Sequence, residues 1–88
     1  MILSIREVAR IASEAAQAAS PALTVIGVTV TGGSGYSEIL ILNRGCRTEP
    51  CHSALGVFRD SSEAALRAEI MDMLRRRLVH GRNSLEFT

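Results

Sequence analysis

Between Ile5 and Ala19 the residues Ile5, Val8, Ala12, Ala15, Ala16 and Ala19 recur at three- and four-residue steps, the period of one helical face. Ser4 and Glu7 stand at capping-box spacing just before this stripe, with Leu3 and Val8 placed as a hydrophobic staple. The stripe is narrow and rich in alanine, which suits close approach to a sheet. Ser20-Pro21 should end the helix, because proline disfavours helical backbone at the residue before it.

From Leu23 to Thr31 the pattern changes to a β-branched run, and a second β-prone run extends from Tyr36 to Leu42. Gly32-Gly33-Ser34-Gly35 between them has turn chemistry, so the two runs read as a hairpin. If Thr31 faces Tyr36, counting pairs Val28 with Ile39 and Ile26 with Ile41. Ile26, Val28, Val30, Ile39 and Ile41 then share the core face, while Val25, Leu40 and Leu42 lie on the outer face with Thr29, Glu38 and Tyr36. That outer face is more apolar than a fully solvated one.

Asn43 to His52 reads as a loop, with Asn43-Arg44-Gly45 as a turn and Pro50 opposing regular structure. Alternation from Ser53 to Phe58 predicts a third antiparallel strand. A second helix is expected to start at Asp60 or Ser61, with Asp60 and Glu63 at capping-box spacing, and to stop at Gly81. Its buried stripe is Leu66, Ile70, Met73, Leu74 and Leu78. The residues from Arg82 to Thr88 read as a frayed tail.

The order helix, strand, strand, strand, helix predicts an α+β fold, a three-stranded antiparallel sheet with both helices on one face. This order resembles that of double-stranded-RNA-binding domains. The resemblance implies phosphate contacts from a lysine-rich start of the second helix, and minor-groove contacts from the first helix and the loop between the first two strands. Here the second helix opens with acidic Asp60-Ser61-Ser62-Glu63, and the hairpin loop holds only glycines and a serine.

At 88 residues the chain is one domain, with residues 1–82 as the folded unit and 83–88 as a short tail. Its 47% hydrophobic and 22% charged residues suit a folded core, though a thin one that extra burial by a partner would help. The net charge is +1, so no general field draws the chain to nucleic acid or anionic lipid. Arg6, Glu7, Arg10 and Glu14 interrupt the N-terminal apolar run, which argues against a secretory signal, and no window is long enough to span a bilayer. The expected location is the cytoplasm, where Cys46 and Cys51 would be free thiols.

Candidate chemistry is sparse. Cys46, Cys51 and His52 are ligand types that suit zinc, with His80 as a conceivable fourth, but the spacing provides one ligand pair where structural sites use two. Arg44, Arg47 and His52 surround the cysteines with charge that would favour a thiolate, yet no third catalytic group can be placed. The glycine-rich loop leads into a strand and not a helix, which fits neither a phosphate loop nor a nucleophile elbow at Ser34. Glu63, Glu69 and Asp72 read as solvated helix charges. The sequence therefore predicts no enzyme and no cofactor. Two binding readings remain. The first is a protein-interaction or homodimerisation module using Val25, Leu40, Leu42 and Phe58 on the outer sheet face. The second is nucleic-acid binding through Arg75, Arg76, Arg77 and Arg82, residues that also suit the negative end of the second helix.

Overall fold

The computed structural model describes residues 2–30, 35–46, 51–80 and 85–87, and of residues 79, 80 and 85–87 the backbone alone. In chain order the elements are α1 (Ile5–Ala19), β1 (Leu23–Val30), β2 (Tyr36–Asn43), β3 (Cys51–Phe58), α2 (Glu63–Arg77), β4 (Leu78–His80) and β5 (Leu85–Phe87). The three longer strands form an antiparallel sheet in the order β1-β2-β3, giving the expected α+β arrangement. Among the described residues no helix is long and apolar enough to cross a membrane.

Helix α1 begins as its sequence dictates. The Ser4 side chain accepts a hydrogen bond from the Glu7 amide at 3.1 Å, and the Ser4 amide donates to Glu7 Oε1 at 3.2 Å, so two end donors are satisfied reciprocally. At the other end the Ser20 amide donates to the Ala16 carbonyl, the Ala22 amide to Ser20 Oγ, and the Gln17 side-chain amide to the Leu23 carbonyl at 2.6 Å. These bonds turn the chain directly from α1 into β1.

One core joins both helices to one sheet face: Val8, Ile11, Ala12, Ala15 and Ala16 of α1, Leu66, Ile70 and Leu74 of α2, and Ile39, Ile41, Leu55 and Val57 of the sheet are buried together. Ile11 was not in the stripe counted from the sequence. Met73 and Leu78 pack against this core without being fully buried.

The β1–β2 register follows the count at Val28↔Ile39 and Gly27↔Leu40 and departs from it at Ile26. A shift between Val25 and Gly27 leaves Ile26 without a cross-strand partner and pairs Val25, not Ile26, with Ile41. The extra residue is a β-bulge, which flips the face of everything preceding it. Val25 therefore packs against the core, Leu23 is fully buried, and Ile26 is 51% exposed. Val30 keeps its core-face register opposite Ser37 but is 53% exposed. The turn residues Thr31, Gly32, Gly33 and Ser34 lie outside the described residues. Gly35 closes the turn at φ +77°, a left-handed conformation that glycine adopts without a steric penalty.

Four further expectations are corrected. Strand β3 starts at Cys51, two residues early, because Cys51 and His52 pair with Asn43 and Leu42. The N-cap of α2 is Ser62, whose side chain accepts from the Ala65 amide at 3.1 Å, and not Asp60 or Ser61. The helix ends at Arg77, four residues short of Gly81, where the chain leaves helical geometry for β4. The tail is not frayed throughout, since Leu85–Phe87 pairs antiparallel with Leu78–His80.

Candidate functional site

Alternation along β2 sends Ser37, Ile39, Ile41 and Asn43 into the protein and leaves Tyr36, Glu38, Leu40 and Leu42 on the far side of the sheet. Neither helix lies on that side, because both bury their stripes against the other. Leu40, at the centre of the middle strand, is flanked by Gly27 on β1 and Ala54 on β3 and is 37% exposed. With small residues on both sides, its side chain stands above its surroundings. Leu42 lies two positions along, between Thr24 and His52.

At the other end of the face Tyr36 sits opposite Phe58, with ring centroids 5.2 Å apart and planes at 65°, an edge-on contact of the kind aromatic rings favour. The Tyr36 ring also covers Gly56. Phe58 is 53% exposed, and His52 and Ala54 of β3 are exposed too. Of the four residues expected to form an interface, Leu40, Leu42 and Phe58 are brought to this face. Val25 is not, because the bulge turns it toward the core.

The cysteines are not free thiols. Cys46 and Cys51 are joined in a disulfide with their Cα atoms 6.0 Å apart, an ordinary separation for such a bond. Pairing of Asn43 with Cys51 brings the two ends of the connection together, and the Gly45 amide donates to Asn43 Oδ1 at 2.8 Å to start the turn. His52 points to the outer face, and among the described residues no group of three or more His, Cys, Asp or Glu side chains could hold a metal ion. Arg47 and the side chain of His80 lie outside the described residues.

Two of the C-terminal arginines are engaged within the protein. Arg76 pairs with Asp72 at 2.9 Å, and Arg77 donates to Ser53 Oγ at 2.8 Å and to the Ala54 carbonyl at 2.5 Å, clamping the end of α2 to β3. Arg75 is exposed, and Arg82 lies outside the described residues.

A polar network missed in the sequence links the helices on their exposed side. Arg10 pairs with Glu63 at 2.6 Å and with Glu14 at 3.4 Å; Arg67 pairs with Glu14 at 2.6 Å and with Glu63 at 3.2 Å. The hydrogen bond from Arg67 is the main reason the Glu14 carboxyl is held below its ordinary range, and that from Arg10 does the same for Glu63. The i,i+4 spacings of Arg10 with Glu14 and of Glu63 with Arg67 were the available signal. Each charge is satisfied by a partner on the other helix, so the cluster fastens α1 to α2 and presents no unmatched group for chemistry.

No protein-family model, curated protein or solved structure matches this chain.

Proposed function

We propose that this protein is an interaction module whose docking surface is the outer face of its sheet. The observation that supports this reading is the one-sided placement of both helices, which leaves Leu40, Leu42 and the Tyr36–Phe58 pair clustered across adjacent strands on a face that neither helix covers. Isolated exposed aliphatics are common on proteins, whereas clustered ones of this kind mark contact sites. Among the described residues Glu38 is the one carboxylate on the face, so little charge has to be desolvated there when a partner binds.

The chemistry suits an apolar protein surface with an aromatic or aliphatic side chain that fits beside Leu40, over Gly27 or Ala54. A photo-crosslinking residue at the exposed Ala54 tests this directly. A crosslinked adduct that disappears in the Leu40→Glu and Leu42→Glu variants is the expected result. Absence of any adduct, or an adduct indifferent to both substitutions, would overturn the reading.

A further inference from the structure

The Cys46–Cys51 disulfide uses both cysteines of the chain and ties the start of β3 back to the segment that follows β2. Cys51 is the first residue of β3, an edge strand, and pairs with Asn43, the last residue of β2. The hold on β3 grows along its length. Leu55 and Val57 are buried in the core, and Ser53 and Ala54 accept hydrogen bonds from Arg77. Cys51 and His52 precede that clamp, and among the described residues the bonds that hold them are the pairing with β2 and the link to Cys46.

His52 faces Leu42 across the outer side of the sheet. Thr29 Oγ1 donates to the Glu38 carbonyl on the β1 side of β2, and the Ala54 carbonyl turns away from β2 to accept from Arg77. Strand alternation then makes Asn43↔Cys51 a pair that exchanges backbone hydrogen bonds, and Leu42↔His52 a pair that does not, the kind whose side chains stand closest. Exposure follows from the neighbours. Leu40, between Gly27 and Ala54, is 37% exposed, whereas Leu42, between Thr24 and His52, is partly buried. His52 thus shields one end of the apolar patch.

We infer that Cys46–Cys51 is a redox-sensitive clasp: a dithiol reductant opens it, the first two residues of β3 loosen, and Leu42 is uncovered beside Leu40. A thiolate of the reductant attacks one cysteine sulfur and displaces the other, which takes up a proton; the reductant's second thiol then displaces the remaining cysteine from the mixed disulfide. Two electrons and two protons pass to the protein, and the reductant leaves as a disulfide. Both cysteines are half-buried and neither belongs to the core, so the bond opens without unpacking it. The loosening stops at Ser53, where the Arg77 clamp begins. As control of docking the inference rests on the reading proposed above; the opening of the clasp does not.

The test compares the oxidised chain with the chain in dithiothreitol, by hydrogen exchange and by the fluorescence of 1-anilinonaphthalene-8-sulfonate, a dye that reports exposed apolar surface. On reduction the amides of Asn43 and Cys51 should exchange at least about tenfold faster while those of Ser53 and Leu55 keep their protection. Dye emission should rise. Cys46→Ser/Cys51→Ser should show both changes without reductant, and Leu42→Ser should keep the exchange response and lose the gain in dye emission. Unchanged exchange at Asn43 and Cys51, loss of protection that spreads through Leu55, or a dye response indifferent to Leu42→Ser would overturn the inference. The crosslink at Ala54 separates the two readings. An adduct equal in both redox states overturns redox control and leaves docking standing; no adduct in either state overturns docking, and the exchange data then decide the clasp by themselves.

Discussion

The ring of Tyr36 lies directly over Gly56, placed so that a Cβ at position 56 would stand 2.9 Å from Cζ and 3.1 Å from Cε1. Position 56 is therefore glycine because the aromatic ring occupies the space of a side chain. In Gly56→Ala the ring must swing away, losing its packing on the backbone and its edge contact with Phe58. A loss of about 1 kcal/mol is expected, within the range of an aromatic pair. Tyr36 is the only tyrosine and the chain has no tryptophan, so its intrinsic fluorescence should shift in this variant and identify the displaced ring.

Neighbouring positions on β2 should respond to truncation in opposite ways. Ile41 is fully buried and Leu40 is partly exposed on the other face. Ile41→Ala should cost about 2–5 kcal/mol as a cavity-forming change, and Leu40→Ala less than about 1 kcal/mol. Urea titration of both variants checks the assignment of faces, and equal losses would contradict it.

The Arg10–Glu63–Arg67–Glu14 network should weaken in acid. Both carboxyls are depressed in the folded protein from an ordinary value of 4.5. Their contribution is complete above that value and is lost as pH falls through the lower folded values. All four groups are on the surface, so the effect is modest and screened by salt. The urea midpoint of the wild type should fall more between neutral and acid pH than that of Glu14→Gln/Glu63→Gln, and the gap should shrink in high salt.

Reduction of Cys46–Cys51 breaks a cross-link over a sequence separation of 5, between two cysteines that are not part of the buried core. A ring of this size restricts the unfolded chain by about 2 kcal/mol. The denaturation midpoint should drop by a corresponding amount in reductant, and Cys46→Ser/Cys51→Ser should match the reduced wild type while keeping its fold. A variant that fails to fold would show that the bond does more than close the loop.

Local rules carried the sequence reading where a single interaction decides the outcome. Ser4, Glu7 and Pro21 define α1 because caps and proline act within a few residues. The second cap was harder to place, since Asp60, Ser61 and Ser62 are three consecutive side-chain acceptors and only the packing of α2 selects Ser62. The bulge had a faint signal in the lone Gly27 within a strand, but alternation alone carried the register through it and put Val25 on the wrong face. The early end of α2 reflects competition, for Leu78–His80 finds a strand partner at Leu85–Phe87 that no helical periodicity reveals. The cysteine expectation rested on compartment, whereas pairing of β2 with β3 decides the matter by proximity. Of the candidate surface, Leu40, Leu42 and Phe58 were legible because the alternation of β2 and β3 is unbroken.

Near the start of α1, the Leu3 amide donates to the Arg59 carbonyl at 2.7 Å, Arg59 Nη1 donates back to the Leu3 carbonyl, and the Arg59 amide donates to the Gly35 carbonyl. Three stretches of chain, 56 residues apart at the extremes, meet at this junction. Closing so long a separation is entropically costly. The first helix can coil early on its own cap, but it is anchored only when the polypeptide beyond Phe58 arrives, so a nascent chain cut off before Arg59 would lack the tie that seats its opening segment.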